Sequence, residues 1–363
     1  MDLKQYDHFK AGDPYYNGYR LLSMQDREGK KPEIYISTTN RSAGKTVFYN
    51  GYLLHRFIQK GEKFILLYRN KYEIDDAAGS FFNQVHKLFY PGLELYQEKG
   101  IKSVYNKLYL RPLSSEDPGD LCGYVTSLKA SENIKKYSSL LADADRVLFD
   151  EAFPENDEYL PDEIQRFMSV HDSLARGGGS QSKYLPVLIV GNLINVFNPY
   201  YMALGVVDNL TISTNYLRGS GFVIEQGFNE ASAQAHKESA FHQALSGEDY
   251  TAASQEKTYL NTSYQFIDNS IVDTGMYLCS IRYKNNVYSV RYNERAGFYY
   301  CSNTPDPGFK LLQAATEKDI TEEAIYDPLS RFRKILKERY RQGYVRFKDL
   351  RVRDAILHYI IGK

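Results

Sequence analysis

The sequence predicts an α/β fold in which a domain with a mostly parallel sheet is followed by a helical linker and a smaller α+β domain. Short apolar runs recur in the N-terminal part and alternate with helix-like stretches, as in a parallel sheet covered on both faces. From residue 209 onward this rhythm is lost, and residues 276–283, 287–292 and 297–301 have the pattern of antiparallel strands. A chain of 363 residues is long enough for two domains. We expect a first domain at 1–222, a linker at 223–262 and a second domain at 263–363.

The composition is that of an ordinary soluble globular protein, with 43% hydrophobic and 25% charged residues. Basic and acidic residues number 45 each, so only local clusters of charge can indicate a partner. The longest apolar run, 184–197, is too short and too interrupted to span a membrane, and the start lacks the apolar core of a signal peptide. Three cysteines without CxxC spacing suit a reducing cytosol and offer no metal site. We therefore expect a cytoplasmic protein with no membrane partner.

The first strand leads into a turn that is typical of phosphate binding. A β-branched and aromatic run at 33–38 is followed by Gly44-Lys45-Thr46 and a helix-like stretch. Amides at a helix N-terminus favour an anion, the lysine can reach the β and γ phosphates, and the threonine hydroxyl can hold Mg²⁺. The pattern GxxxxGK[ST] departs at one position, where a threonine replaces the first glycine. The alternative is an ordinary strand-to-helix turn with a surface lysine. The expected ATP contacts in this turn are Thr39, Asn40, Arg41, Ser42, Ala43, Gly44, Lys45 and Thr46.

The segments on either side of the turn complete its predicted surroundings. Tyr16 and Asn17 belong to a polar, tyrosine-rich lead-in that can fold back to stack on or bond to a base, with plain surface packing as the alternative. After the turn, a helix pattern at 47–59 and an apolar strand at 64–68 make one βαβ unit. Arg69 directly follows that strand and is a candidate to face the nucleotide or the substrate, because ligands bind beyond the carboxyl ends of parallel strands.

A further apolar strand, 146–149, ends in the acidic pair Asp150-Glu151. In P-loop ATPases the two residues of such a pair have different roles. The aspartate positions Mg²⁺ through water, and the glutamate polarises the attacking water as a general base. Alone, the pair more often begins a solvated helix. Downstream of the lysine-threonine turn, it indicates a P-loop ATPase domain of the additional-strand type.

Two later stretches supply further candidates. A helix at 161–176 begins with proline and acids and ends at Arg176, directly before three glycines. A guanidinium at such a flexible end can reach a neighbouring subunit as an arginine finger, although arginine also suits a helix C-terminus electrostatically. The apolar strand at 185–190 is followed by Gly191 and Asn192, whose amide can donate to a phosphate and accept from water, so we expect it to sense the γ-phosphate.

The C-terminal third is less regular. Residues 224–258 suit a helical linker, in which His236 and His242 are six positions apart and are expected to be solvated. The tail at 331–353 holds ten bases against two acids, which is an electrostatic footprint for phosphate or, alternatively, a solvated helix face. The expected nucleic-acid contacts in this tail are Arg331, Arg333, Lys334, Lys337, Arg346 and Lys348.

The order of these motifs resembles that of the genome-packaging ATPases, or DNA encapsidation proteins, of small tailed phages that package with a structural RNA ring. Arg41 lies four residues before Lys45, where packaging ATPases of the large-terminase type tend to carry an arginine. The likeness covers most of the chain and is weaker at 72–140 and 205–270. It is carried further by Tyr15-Tyr16-Asn17, Val147-Leu148-Phe149-Asp150-Glu151, Asp172-Ser173-Leu174-Ala175-Arg176, Gly191-Asn192, Asn198-Pro199-Tyr200 and Gly343-Tyr344-Val345-Arg346-Phe347.

The resemblance implies an ATP-driven motor subunit that translocates double-stranded viral DNA into a prohead. It implies a homopentameric ring at the portal vertex, with the packaging RNA and the portal connector as partners, in the host cytoplasm and only transiently on the prohead. The resemblance also implies that Arg176 of one subunit completes the next subunit's site, while Arg41 is a second candidate for stabilising charge. The implied catalytic residues are Lys45, Glu151, Arg176, Asn192 and Arg41, and the implied Mg²⁺ ligands are Thr46 and Asp150.

Large terminases add an RNase H-like nuclease, which needs clustered carboxylates to hold two metals. Here the first strand of the C-terminal domain, 277–282, has no acid, and only Asp273 and Glu294 lie near it. We therefore expect an RNase H-like α+β domain without nuclease chemistry, kept for contact with DNA or RNA. The alternatives are a nuclease-competent terminase and a nucleic-acid scaffold whose degenerate P-loop does not turn over. A small-molecule kinase is disfavoured, since the basic tail would then have no role.

Overall fold

The structure is a computed structural model, and the chain divides into two compact units, Met1–Asn261 and Thr262–Lys363. It describes residues 2–12, 16–100, 104–155, 159–176, 182–192, 194, 198–206, 209–210, 213–244, 267–268, 271, 274–309 and 312–361.

The first unit contains a sheet of nine described strands in the order β3-β4-β5-β2-β6-β7-β1-β9-β8. The six strands from β5 to β9 in that order are parallel, while β3, β4 and β8 are antiparallel to their neighbours. The mostly parallel α/β sheet predicted from the sequence is confirmed. The strand bounds are β1 (Ile34–Thr39), β2 (Lys63–Tyr68), β3 (Leu93–Lys99), β4 (Tyr105–Pro112), β5 (Asp120–Ser127), β6 (Ala144–Phe149), β7 (Val187–Asn192), β8 (Tyr216–Arg218) and β9 (Phe222–Gln226).

Helices cover both faces of this sheet. The alternating side chains of β2 show why its sequence is continuously apolar: Phe64 and Leu66 join the core on one face, and Ile65 and Leu67 join the core on the other. Within the described residues, no helix is both long enough and apolar enough to cross a bilayer. The helix bounds in this unit are α1 (Tyr19–Ser23), α2 (Lys45–Lys60), α3 (Ala77–Phe89), α4 (Ser131–Ile134), α5 (Glu163–Leu174), α6 (Pro199–Ala203), α7 (Glu230–Glu238) and α8 (Ala240–Ala244).

The boundary predicted at residue 222 needs correction. Strand β9 begins at that position and pairs in parallel with β1, from Ile34 opposite Phe222 to Thr38 opposite Gln226. The first sheet therefore continues into the segment that was assigned to the linker. A boundary drawn from lost βα rhythm cuts too early here because β9 follows directly on a short antiparallel strand rather than on a helix.

The second unit has a mixed sheet in the order β14-β13-β10-β11-β12-β15, with its helices packed on the sheet core. The three predicted antiparallel strands are confirmed as β10 to β12, and the α+β class of this unit is confirmed as well. The bounds are β10 (Met276–Tyr283), β11 (Asn286–Asn293), β12 (Phe298–Ser302), β13 (Leu312–Ala314), β14 (Ala324–Ile325), β15 (Val345–Phe347), α9 (Arg331–Arg341) and α10 (Leu350–Ile361).

Candidate active site

The carboxyl ends of β6, β7 and β1 lie side by side in the sheet. The predicted phosphate turn follows β1, which lies between β7 and β9. Gly44, the residue before α2, has φ 90°, and Ser42 has φ 58°. The left-handed backbone explains why the helix is preceded by glycine. The turn ends at a helix N-terminus whose first amides have no helical partner, so the site can receive an anion.

The Thr39 side chain resolves the departure from the expected glycine pattern. Thr39 is the last residue of β1 and has an extended backbone, so threonine is accommodated without a left-handed conformation. Its hydroxyl accepts a hydrogen bond from Lys45 Nζ at 2.6 Å. Thr39 is therefore a hydrogen-bond acceptor for the lysine in this site.

Lys45 is buried and surrounded by oxygen atoms at the start of α2. Its Nζ also donates to Asn192 Oδ1 at 3.2 Å and to the Asn40 carbonyl at 3.4 Å. Burial lowers the pKa of Lys45 to about 8, although the carboxylates of Asp150 and Glu225 act in the opposite direction. The predicted lysine and the predicted sensor amide thus share one site, and the lysine is held where it can exchange these neutral oxygens for phosphate oxygens.

The acidic pair at the end of β6 lies at the same site. The Asp150 carboxylate accepts a hydrogen bond from the Thr46 side chain, and burial raises the pKa of Asp150. The Glu151 amide donates to Asp150 Oδ1 at 2.9 Å, and the Glu151 side chain is exposed. A hydroxyl beside a carboxylate provides the hard oxygen ligands that Mg²⁺ prefers, so Thr46 and Asp150 fit the predicted metal role.

The N-terminus of α7 holds the phosphate turn from the side. The Asn40 side chain donates to the Asn229 carbonyl at 3.1 Å and accepts from the Asn229 amide at 2.9 Å, and Ser232 Oγ donates to the Arg41 carbonyl at 2.6 Å. Asn40 therefore turns its side chain toward α7. The guanidinium of Arg41 forms an ion pair with Glu155, five residues after Asp150. Sequence reasoning missed Asn229 and Ser232, although Asn229 caps α7 and is a recognisable helix start.

The hypothesis that Tyr16 stacks on a base is wrong. Its ring is buried in edge-to-face contact with Phe48, and its hydroxyl donates to the Glu225 carboxylate. Its amide donates to the Ala43 carbonyl at 2.8 Å, so Tyr16 supports the turn from beneath. Asn17 accepts from the Tyr19 amide at the start of α1. Tyr15 lies outside the described residues.

Glu225 on β9 is the centre of a buried polar network, and no sequence motif pointed to this residue. Oε1 accepts from Tyr216 at 2.8 Å, and Oε2 accepts from Tyr16 and from Ser37, the latter at 3.2 Å. A buried carboxylate requires such donors, since an unpaired one is costly. The network joins β1, β8, β9 and the N-terminal lead-in directly beneath the phosphate turn.

Arg69 does not face the nucleotide site, contrary to expectation. Its guanidinium donates to both carboxylate oxygens of Glu163, at 3.0 and 3.1 Å, and to the Ala152 carbonyl at 2.7 Å. The side chains of Arg69 and Glu163 are 11% and 1% exposed. This arginine is therefore an internal residue behind the acidic turn.

Arg176 follows a helix end that lies near the amino end of β6, whereas the candidate site lies at the carboxyl ends of the strands. It is exposed and follows α5, whose last turn is close to the start of β6: the Lys183 amide donates to the Ala175 carbonyl, and Lys183 Nζ donates to the Ala144 carbonyl. Six residues of strand separate Ala144 from Asp150, or about 20 Å at a rise of about 3.3 Å per residue. The structure therefore does not bring Arg176 to the site of its own chain, and the three glycines after it lie outside the described residues.

The two linker histidines are not solvated as expected. His236 Nδ1 and His242 Nε2 are 2.8 Å apart, and His242 is buried. Burial lowers the pKa of His236, and the neighbouring His242 and Arg41 act in the same direction. A separation of six places the rings together because α7 ends at Glu238 and α8 begins two residues later, so the two residues do not share one continuous helix.

The basic tail divides into exposed and internal members. Arg331 and Lys334 are exposed on α9, and Lys337 is half-buried. Arg333 is a correction: it is 3% exposed, donates to the carbonyls of Ala314 and Ala315, and packs on the rings of Tyr326 and Tyr359.

Two further tail residues are engaged by the protein itself. Arg346 Nη1 donates to the Gly343 carbonyl at 2.7 Å, and the guanidinium lies over the Phe298 ring. Lys348 Nζ donates to Asn303 Oδ1 at 2.9 Å. Both are partly exposed, so they remain candidates for contact with phosphate.

The acidic residues of the second unit are not grouped as a nuclease site among the described residues. Asp273 lies outside the described residues, and Glu294 is exposed in the turn after β11. Asp319 is buried and accepts bonds from Thr316 and from the Lys284 amide. Among the residues that the structure describes, no three His, Cys, Asp or Glu side chains are grouped to hold a metal.

Comparison with solved structures agrees with this architecture. A chain of "The bacteriophage Phi-29 viral genome packaging motor assembly" is 21% identical, with a TM-score of 0.62 over 94% of this chain and 97% of that chain. A chain of "The Phi-28 gp11 DNA packaging Motor" has the same TM-score at 14% identity, over 96% of this chain and 98% of that chain. At these identities the similarity establishes the fold.

Sequence comparison identifies the family. The chain is 24% identical over 346 residues to a DNA packaging protein of Bacillus phage PZA, covering 94% of this chain and 95% of that protein. It matches a DNA packaging protein of Bacillus phage phi29 with the same identity and coverage. The family described as "Podovirus DNA encapsidation protein (Gp16)" matches residues 13–363. Since that match spans both compact units, the chain belongs to the Podovirus DNA encapsidation protein (Gp16) family.

Proposed function

We propose that the chain is the ATP-hydrolysing subunit of a ring that drives double-stranded viral DNA into a prohead. One observation carries the proposal: the lysine-threonine turn and the acidic strand end meet, with Lys45 on Asn192 and Thr46 on Asp150. These groups can serve one bound triphosphate together. The family to which the chain belongs and the relatives described as DNA packaging proteins support the same assignment.

Each side chain has a defined part in hydrolysis. The amides of the turn receive the phosphates, and Lys45 exchanges its bonds to Thr39 and Asn192 for phosphate oxygens. Thr46 and Asp150 would hold Mg²⁺, and the ion would supply positive charge against the charge that develops on the phosphates. Glu151 accepts a proton from the attacking water, and Asn192, released by the lysine, becomes free to contact the γ-phosphate or that water.

Arg176 is proposed to act on a neighbouring subunit. Arg176 lies near the amino end of β6, and the candidate site of the same chain lies at the carboxyl end. It can therefore serve catalysis only at the nucleotide of another copy. An arginine finger of this kind increases the rate about a thousandfold or more. Arg41, whose carbonyl and guanidinium are both engaged by the same chain, is the second candidate for stabilising charge in cis.

The remaining partners follow from the proposed motor. A homopentameric ring at the portal vertex would contact the packaging RNA and the connector, in the host cytoplasm and only transiently on the prohead. Arg331, Lys334 and Lys337 offer sequence-independent contacts to a phosphate backbone, which weaken with salt. We propose that the C-terminal unit has no nuclease activity. Purified protein with Mn²⁺ and plasmid DNA checks this, since cleavage that disappears in Asp273→Ala would support the nuclease-competent alternative.

The central experiment is ATP hydrolysis by the Glu151→Gln variant. Removing a general base costs about a hundredfold or more in kcat, while nucleotide affinity remains within about twofold, because the amide cannot accept the proton but still fills the site. Packaging of DNA into proheads should stop in the same variant. Wild-type protein that binds nucleotide and never hydrolyses it would instead favour a nucleic-acid scaffold.

A further inference from the structure

The turn that carries Glu151 is held by hydrogen bonds to both backbone groups of the next residue, Ala152. The Ala152 amide donates to the Val190 carbonyl of β7 at 3.0 Å, and the Ala152 carbonyl accepts from Arg69 Nη2 at 2.7 Å. Glu151 itself has φ 52°, a left-handed conformation that is unusual for a residue other than glycine. Such a conformation persists when its surroundings determine it strongly. The position of the general base therefore depends on what fixes Ala152.

Arg69 is fixed in turn by a buried acid and a phenol. Glu163 accepts two bonds from Arg69, and its Oε1 also accepts from Tyr200 at 2.7 Å. Its Oε2 accepts from the Leu160 amide at 2.7 Å. The Arg69 guanidinium lies over the ring of Phe149, the last residue of β6, with 5.6 Å to the centroid. Burial and the charge of Glu163 raise the pKa of Tyr200, so its hydroxyl retains the proton that it donates.

We propose that Arg69, Glu163 and Tyr200 form a brace that positions Glu151 for catalysis. This inference rests on the proposed function, in which Glu151 is the general base. The brace connects the carboxyl ends of β2 and β6 with α6, which follows the sensor strand β7. Arg69 is thus a positioning residue that acts through Ala152, since it contacts the protein rather than the reacting atoms.

The same chain contains a matched control. Arg146 on β6 is also 11% exposed, pairs with Glu62, and donates to the Tyr52 hydroxyl at 2.8 Å. It groups the same three residue types four residues before Asp150, or about 13 Å away along the strand, although Tyr52 accepts from the arginine whereas Tyr200 donates to the glutamate. Substitutions in this second triad should lower stability as the brace substitutions do, but they should leave the position of the acidic turn unchanged.

The experiment compares Arg69→Lys with Arg146→Lys and Tyr200→Phe with Tyr52→Phe. Lysine retains the charge opposite glutamate, but it cannot bind both carboxylate oxygens and a carbonyl in one plane. We expect both brace variants to lose about tenfold or more in kcat with KM for ATP within about twofold, because a small displacement of a catalytic group is expensive. The control variants should lose melting temperature similarly and retain wild-type kcat.

A second measurement does not depend on turnover. Amide hydrogen exchange in residues 150–155 should become faster in Arg69→Lys and Tyr200→Phe, and it should stay at the wild-type rate in the two control variants. Unchanged kcat and unchanged exchange in the brace variants, or equal losses of kcat in both pairs, would overturn the brace. If wild-type protein hydrolysed no ATP, the proposed function would fail, and the exchange rates alone would still support or reject the brace.

Discussion

Lys45 is the residue at which burial and function are most closely connected. The hydrogen-bond partners that the structure describes for Lys45 are neutral oxygens, and burial lowers its pKa to about 8. A bound triphosphate would supply negative charge at the same place and raise that pKa again. Nucleotide binding would therefore offset the cost of burying this cation.

This coupling predicts that nucleotide binding takes up a proton above about pH 8. The free lysine is then neutral, and the bound one is charged, so affinity should fall by up to about tenfold per pH unit from pH 8 to pH 10. The phosphates are already ionised in this range, since their second pKa is about 6. Dissociation constants at pH 7, 8 and 9 check the effect, with Lys45→Arg as the non-titrating control. A wild-type affinity that is independent of pH would contradict it.

Arg333 shows how a charged residue in a basic run can belong to the core. We expect Arg333→Gln to lower the free energy of unfolding by about 1–3 kcal/mol, since two buried carbonyls lose their donor. Arg331→Gln and Lys334→Gln should leave stability within about 0.5 kcal/mol and weaken DNA binding, each lowering the salt slope by about one. Denaturant titrations and DNA binding at several salt concentrations separate the two effects. A reduced salt slope in a fully stable Arg333→Gln variant would be inconsistent with its burial.

At the scale of elements, α7 acts on the phosphate turn although it follows the last strands of the sheet. Its first residues bind the side chain of Asn40 and the carbonyl of Arg41. The sequence indicates both the turn and the helix. Their contact depends on β9 lying next to β1, which brings the start of α7 beside the turn. Periodicity describes each element alone and contains no information about that neighbour.

The contact predicts that Asn40→Ala loosens the turn. Two hydrogen bonds to Asn229 disappear, so we expect a loss of about 1–2 kcal/mol in stability and a several-fold higher KM for ATP with kcat nearly unchanged. Gln234→Ala, which removes an exposed contact to Glu238 on the same helix, is the control and should match the wild type. An unchanged KM in Asn40→Ala would mean that α7 does not hold the turn.

For the molecule as a whole, the proposed role of Arg176 implies a catalytic site that a second copy of the chain completes. Arg176 follows the helix end that lies beside Ala144, and Ala144 is about 20 Å from Asp150 along β6. A homo-oligomer is the simplest way to bring this arginine to a nucleotide site. Catalysis would then be a property of the interface between copies. Contacts between neighbouring copies would then set the order in which subunits of a ring hydrolyse ATP.

Mixing two inactive variants tests this arrangement. Arg176→Ala lacks the proposed finger and should hydrolyse ATP about a thousandfold or more slowly than wild type. Glu151→Gln lacks the base and should be about a hundredfold or more slower. In mixed rings, some interfaces pair an intact Glu151 with an intact Arg176. Recovery of a measurable fraction of wild-type activity on mixing, absent when either variant is mixed with itself, is the expected outcome. Rates that simply average would place the arginine in cis or outside catalysis.

Sequence patterns alone were enough to predict the parallel sheet, the antiparallel strands of the second unit, the phosphate turn and the acidic strand end. These features are local: a continuous apolar run, an alternating run, or a short pattern whose chemistry is contained in adjacent residues. The three-dimensional fold was needed to show that Tyr16 and Arg333 are internal, that His236 contacts His242, that Arg69 binds the Ala152 carbonyl, and that Glu225 accepts a hydrogen bond from Tyr16. Those facts depend on which elements become neighbours, and a buried polar group reveals its role through partners that are distant along the chain.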